Sequence, residues 1–359
     1  MAAHVLSAAI RAMGPPAFAF VLGTLLAPGA GAAAPPLTVA AADLDAGFAC
    51  TQPLQPQARA VLLVHGTSVT PEENWGWSYE RAMPAQGLST CTVRLPDYAF
   101  VDIQLSSEYV VHAIRRMYAA TGRAIGVVGI SQGGLQPRWA IRWWPDVAAA
   151  VDDLVMLATP NHGGPLANLS CTAPCLPALW QQAEGSAFLH ALNAGDETPG
   201  DIAYSSIYSL TDWVIQPAAP VPTAALDGAA NIAIQDVCPG RVVDHVQHAF
   251  DAVVWALTVD ALMHPGPADP ARLDPGVCLL DTMPLVDPVD ARRRMAEVYA
   301  LAAQRQSAYE RKVDHEPGLR AYVADGGLVP GAGAGAAGLF LLFTLTAPAL
   351  LRAFWRSFP

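Results

Sequence analysis

The chain has 359 residues, a net charge of −11, 53% hydrophobic and only 14% charged residues. Setting aside residues 1–34 and 326–359 removes three arginines and no acid, which leaves a body of 17 basic and 31 acidic residues, net −14. Such a body repels a phosphate backbone, which excludes nucleic acid as a partner, and the length allows one large α/β domain or two small ones.

Residues 1–34 carry one charged side chain, Arg11, followed by the apolar run Pro16–Leu26 and the small-residue segment Gly29–Ala34. This is a secretory signal pattern with an Ala-x-Ala type site near Ala32–Ala34. Pro15, Pro16 and Pro28 interrupt a run already short for a membrane span. Ala34–Thr38 is a Pro/Ala linker, and the domain proper begins near Leu44. Val61–Val64 is a continuous apolar run ending at His65-Gly66, the pattern of a parallel strand buried on both faces. A helix is expected over Trp75–Ala85 and a strand around Thr90–Leu95. A second helix is expected over Ser107–Ala120, where Val110, Val111, Ile114, Met117 and Tyr118 recur at helical spacing.

A short buried strand, Ala124–Val128, then runs into Gly129-x-Ser131-x-Gly133 and a helical stretch from Leu135 to Trp144. Val151–Ala158 is a strand that ends at Thr159-Pro160. Residues 161–200 form an insertion with short helices, including Leu179–Gln182 and Ala187–Asn193. Ile207–Leu210 and Ile232–Ile234 are further strands, and Val246–Met263 is a helix. Strands alternating with helices imply an α/β, doubly wound, mostly parallel central sheet with helices on both faces.

A last helix of the body, Asp290–Val313, places Met295, Val298, Ala302, Tyr309 and Val313 on one stripe. Arg292, Arg293, Arg294, Arg305, Arg311 and Lys312 lie on the other face. It is either a solvated amphipathic helix or one that flanks the mouth of a site near a membrane surface. Gly326–Leu351 is uncharged and precedes Arg352 and Arg356; the 21 residues from Gly331 to Leu351 suffice to cross roughly 30 Å of hydrocarbon. The positive-inside rule puts those arginines in the cytoplasm and the body outside. The alternative is an Ala/Gly tail, since Pro330, Pro348 and the glycines weaken any helix. The expected organisation is therefore a signal peptide (1–34), a catalytic domain (35–325) and a hydrophobic membrane anchor (326–359).

Six cysteines behind an export signal imply disulfides. Cys50 with Cys91 and Cys238 with Cys278 make natural long-loop pairs, each stabilising by roughly 3–4 kcal/mol in the loop-entropy model. Cys171 and Cys175 close a small loop around Thr-Ala-Pro. A metal site is the rival for that pair, but two thiols with no histidine nearby make a poor one, so no metal is expected.

Strand, Gly-x-Ser-x-Gly, helix is the setting of a nucleophile elbow. The turn stands the Ser131 Oγ at the top of the sheet, above a helix N-terminus that favours negative charge. Gly129 and Gly133 remove Cβ atoms that would strike neighbouring backbone, and they are expected to take strained dihedrals. A serine hydroxyl needs a base, and the base an orienting acid, in the chain order Ser, Asp/Glu, His. His4, His65 and His112 are wrongly placed. His245 follows the last strand and opens a helix, with His248 the next choice. Asp212 directly follows Ile207–Leu210; Asp201, Asp227 and Asp236 are alternatives, and Asp244 is too close to His245 to face its Nδ1. The oxyanion needs N–H donors, which the backbone of Gln132 and the loop His65–Ser68 supply, with the Thr67 hydroxyl as a third.

Leu62–Thr67, Ser131–Leu135, Trp180-Gln181-Gln182, Tyr208–Asp212 with Gln216-Pro217, and Asp244-His245 together resemble the Candida antarctica lipase B-like family of α/β-hydrolase serine lipases, over roughly residues 42–323. The resemblance implies an α/β-hydrolase fold, a triad of Ser131, Asp212 and His245, and an oxyanion hole at Thr67 and Gln132. It implies a cofactor-free carboxylester hydrolase acting on esters or lipids outside the cytoplasm, with Gln182 lining the pocket. It also supports the pairs Cys50–Cys91 and Cys238–Cys278. This chain departs from the family where His315 replaces the cysteine of a third disulfide, and Cys171–Cys175 has no counterpart. Asn161 matches an aspartate of the family's active site. Ile130 matches a tryptophan that limits the alcohol side of the pocket, which implies a wider, less selective alcohol site here. A polyester depolymerase, an amidase and a catalytically idle binding module share the same framework.

Overall fold

The computed structural model describes residues 34–172 and 174–324. The expected signal peptide and the anchor segment Gly331–Leu351 lie outside the described residues, apart from Ala34. Among the described residues no helix is long and apolar enough to cross a membrane.

Seven strands form one sheet: β1 (Phe48–Cys50), β2 (Ala60–Val64), β3 (Ser89–Val93), β4 (Ile125–Ile130), β5 (Val151–Leu157), β6 (Ala203–Tyr208) and β7 (Ala230–Ala233). Their order is β1-β3-β2-β4-β5-β6-β7, with β1 antiparallel to β3 and every other pair parallel. Alternation along β2 explains why its apolar run is unbroken. Leu62 and Val64 face a core built with Val110, Ile114 and Trp139, while Val61 and Leu63 face a second core built with Val253, Val254 and Leu257. Both faces of a parallel sheet are covered, so both need hydrocarbon. The first core lies under the helices Ile103–Thr121 and Leu135–Trp143, the second under Ala252–Met263.

Several elements differ from the expected pattern, each for a local reason. The helix expected at Ser107 begins at Ile103, because the Asp102 carboxylate accepts from the Gln104 N–H and caps it there. Trp75–Ala85 is not one helix. Thr70 and Glu73 make a capping box for Pro71–Asn74, then Tyr79–Ala82 and a 3-10 turn Met83–Gln86 follow. The helix expected over Val246–Met263 is broken: Val246–Ala249 is 3-10, and Asp251 restarts the chain by accepting from the Val253 and Val254 N–H groups. The last long helix is Pro288–Ala308 rather than Asp290–Val313. Val313 instead exchanges backbone bonds of 2.9 and 3.1 Å with Cys175, so Tyr309 and Val313 leave the expected stripe.

The Pro/Ala linker is also tied down. Trp144 Nε1 donates to the Pro35 carbonyl, and the buried Glu108 carboxylate accepts from Thr38 Oγ1 and the Val39 N–H. The cysteines pair as Cys50–Cys91, Cys171–Cys175 and Cys238–Cys278, with none free among the described residues. Cys50 lies directly opposite Cys91 in the β1–β3 register. That bridge holds an edge strand of three residues, too short to give a periodic signal in the sequence.

Candidate active site

β4 passes through a 3-10 turn, Ser131–Gly134, into the helix Leu135–Trp143. Ser131 takes φ 55°, a left-handed conformation that costs a non-glycine residue on the order of 1–3 kcal/mol. Gly129 and Gly133 do not share that strain: neither has positive φ. They are glycines for lack of room. A Cβ on Gly129 would stand 2.2 Å from the Gly133 carbonyl oxygen, and one on Gly133 would stand 2.4 Å from the Val64 oxygen and 2.6 Å from the His65 oxygen. Gly133→Ala is therefore expected to destabilise the protein by about 1–3 kcal/mol, because backbone rather than a flexible side chain must give way. A thermal melt coincident with that of the unaltered protein would contradict this.

Asp212 lies in the turn after β6, its side chain only 2% exposed, and His245 opens the turn after Val243-Asp244. His245 Nδ1 is 2.8 Å from Asp212 Oδ2, while Asp212 Oδ1 accepts from the N–H groups of Val214 (2.7 Å) and Ile215 (3.1 Å). Burial pushes the Asp212 carboxyl up, but His245, His248 and the Ile215 N–H outweigh it and hold the group below its ordinary range. The alternatives Asp201, Asp227 and Asp236 are exposed on the surface. Asp244 is turned away, accepting from the Tyr299 hydroxyl at 3.0 Å.

His248 is fully buried behind His245. Its Nδ1 meets the Asp244 carbonyl at 3.0 Å, and burial lowers its pKa. His65 is structural as well: Nε2 accepts from the Leu95 N–H at 3.0 Å, so Nδ1 carries the proton and donates to the Gly66 carbonyl at 2.8 Å. Burial brings its pKa down to about 4, which keeps the ring neutral.

Ser131 and His245 share the wall of an apolar cleft of about 350 Å³, completed by Leu166, Gln182, Trp213 and Val298 among others. The two side chains make no direct hydrogen bond; such contacts commonly tighten only with substrate bound. A side cavity of about 60 Å³ opens off the same serine between Ile130, Val69, Asn74 and Ala249. Ile130 therefore shares the space beside the serine with residues of other segments and does not set that volume alone. A hollow of about 580 Å³ around the Cys238–Cys278 bridge is larger, but it contains neither Ser131 nor His245.

Gln132 is the hub of a buried network. Its Oε1 accepts from Thr67 Oγ1 (2.6 Å) and Gln182 Nε2 (3.0 Å), and its Nε2 donates to the Ala99 carbonyl at 3.0 Å. The Thr67 hydroxyl is thereby engaged, and it must turn from Gln132 before it can donate to an oxyanion. Asn161 does not line the cleft. It is fully buried, with Nδ2 donating to the Ala224 carbonyl and Oδ1 accepting from Arg138.

Two features escaped sequence inspection: the left-handed run Asp97–Ala99 that presents the Ala99 carbonyl, and the inward turn of Arg305. Neither carries a motif. The helix Pro288–Ala308 does flank the mouth, through Val298, Tyr299 and Ala302. Its basic face, however, is largely neutralised: Arg293 pairs with Asp290 and Glu297, Arg294 with Asp290, and Arg305 with Glu73. A helix so paired presents little net positive charge to an anionic membrane surface.

No family model matches the sequence. The chain is 34% identical over 211 residues to lipase B of Pseudozyma antarctica, a match covering 56% of this chain and 61% of that protein, less than two thirds of the relative's length. Its fold matches the crystal structure of Aspergillus fumigatus lipase B with a TM-score of 0.76 and 28% identity, covering 87% of this chain and 77% of that one. With a mostly parallel sheet, a serine at the strand-to-helix elbow and these likenesses in sequence and structure, the chain has an α/β-hydrolase fold and is similar to lipase B.

Proposed function

We propose that the protein is an exported serine carboxylester hydrolase of lipase or esterase type. The observation that carries this is the His245–Asp212 pair at 2.8 Å, brought to the same apolar cleft as a serine with φ 55° on an elbow. Ser131 attacks the ester carbonyl while His245 Nε2 takes its proton, and Asp212 holds the imidazole in the required tautomer. The Gln132 N–H, whose side chain is otherwise engaged, and the Thr67 group stabilise the tetrahedral oxyanion. His245 protonates the leaving alcohol, and water then resolves the acyl-enzyme by the same steps. No step needs a cofactor. The name of the matched relative, lipase B, supports an ester or lipid substrate. The three disulfides support export; tethering through Gly331–Leu351 rests on sequence and would show as partition of the full chain into detergent.

The apolar cleft takes the acyl chain and the side cavity beside Ile130 takes the alcohol. Ethyl esters should accordingly be hydrolysed about 10- to 200-fold faster than esters of bulky secondary alcohols, the range that apolar shape provides. Ile130→Ala should narrow that gap. Equal rates on both classes in the unaltered protein would show that the alcohol lies elsewhere. Stoichiometric labelling of Ser131 by a fluorophosphonate, with hydrolysis across an ester chain-length series, tests the activity itself. Failure of both would leave a binding module on a hydrolase fold.

A further inference from the structure

Arg305 sits in the last turn of the helix Pro288–Ala308, on the face whose charges suggest solvent. Its side chain is only 18% exposed, and it reaches three groups on two other segments. Nη1 and Nη2 donate to the two carboxylate oxygens of Glu73 at 2.7 and 2.8 Å, and Nη1 also donates to the Ser68 carbonyl at 2.8 Å. The guanidinium carbon lies 4.1 Å from the centre of the Tyr98 ring. One residue on, Gln306 Nε2 donates to Ser68 Oγ at 3.0 Å.

All of these partners surround the loop His65–Ser68. From the other side, the Ser68 N–H donates to the Tyr98 carbonyl at 2.8 Å, and the Gly66 N–H donates to Asn74 Oδ1 at 3.1 Å, next to Glu73. Ser68 has φ 74°, and Asp97, Tyr98 and Ala99 have φ between 48° and 62°. Four non-glycine residues in left-handed conformations persist only where their surroundings over-determine them. The loop is also close to the reacting serine: a Cβ on Gly66 would stand 3.2 Å from Ser131 Cβ. Burial pushes the Glu73 carboxyl up, but Arg305 and the Thr70 N–H hold it below its ordinary range, so the pair is ionised across the neutral range.

We infer that Arg305 is a positioning residue for the oxyanion hole: its fork bridges Glu73, the Ser68 carbonyl and the Tyr98 ring, and so fixes the loop that carries Thr67 against Ser131. A bidentate, charge-assisted contact gives direction as well as attraction, which a lysine cannot reproduce. The inference rests on the serine hydrolase function proposed above. A loop displaced by about 1 Å misplaces the donors in the transition state while leaving the apolar cleft, and with it ground-state binding, in place.

The test compares the unaltered protein with Arg305→Ala, Arg305→Lys, Glu73→Gln and the double variant Arg305→Ala/Glu73→Gln, using a soluble p-nitrophenyl butyrate ester. Fluorophosphonate titration counts competent serines. Arg305→Ala should lower kcat by about 10- to 100-fold with KM within about twofold. Labelling should remain stoichiometric. Arg305→Lys should recover only part of the loss, and the double variant should be no worse than the poorer single one. Arg293→Ala, on the same helix but paired only within it, should leave kcat unchanged. A kcat within twofold of the unaltered protein in Arg305→Ala, or a rise in KM alone, overturns the inference. Should that variant fail to fold, a kcat within twofold in both Arg305→Lys and Glu73→Gln overturns it equally. If the unaltered protein neither labels nor hydrolyses the ester, the proposed function has failed instead.

Discussion

Ser131→Ala is expected to lower ester hydrolysis by about five to six orders of magnitude while the protein still folds. The substitution removes only Oγ, which faces the cleft, and it leaves the elbow's backbone contacts in place. Alanine must still accept φ near 55°, so the strain carried by serine is carried over rather than relieved. On the proposed mechanism, what should remain is catalysis by the oxyanion donors and by binding alone, far above water yet far below the unaltered protein. The measurements are the hydrolysis rate of purified protein, fluorophosphonate labelling and a thermal melt. Activity near that of the unaltered protein would mean that another nucleophile does the chemistry.

Asp212→Asn should cost about four orders of magnitude in kcat. The amide is nearly isosteric, and its oxygen can still accept from the N–H groups of Val214 and Ile215, so the turn should hold. Its NH2, however, would donate to His245 Nδ1 in place of the acceptor at 2.8 Å. That selects the tautomer with the proton on Nε2, facing Ser131, where it cannot take the serine's proton.

A pH signature separates this electrostatic account from a packing defect. The folded-state pKa of Asp212 is depressed, so its charge contributes stability above the unfolded carboxylate pKa and loses it as pH falls through the folded value. The stability difference between the unaltered protein and Asp212→Asn should therefore be largest near neutrality and shrink below about pH 4. A difference that stays constant with pH would show that the charge on Asp212 is not what the site uses.

The proposed order Ser131, Asp212, His245 could be drawn from the sequence because Ser131 directly follows β4 and the other two lie on segments after β6 and β7, and strands announce themselves by runs of apolar residues a few positions long. Gly-x-Ser-x-Gly was legible for a related reason: close backbone approach within one turn can be met only by lacking a Cβ. The two-faced burial of β2 and the alternation of strands with helices were equally local, and they were enough to indicate the α/β class. The cysteines offered their pairing through loop lengths and resemblance, before any contact was known.

What tertiary structure decided lies between residues far apart in the chain. Thr67 meets Gln132 across 65 positions, Gln132 meets Ala99 across 33, and Arg305 meets Glu73 across 232. No periodicity encodes such a contact. An arginine on a charged helix face looks the same in sequence whether it enters water or a carboxylate. The same holds for volume: Ile130 alone suggested a roomy alcohol site, yet the cavity beside it is bounded as well by Val69, Asn74 and Ala249 from other segments. Asn161 matched a pocket position, but Arg138 and the Ala224 carbonyl hold its amide inside the protein. A sequence states which groups the chain owns and which turns it can make. Only packing determines which partner each polar group finds, because buried donors and acceptors must be satisfied by whatever the fold brings within about 3 Å.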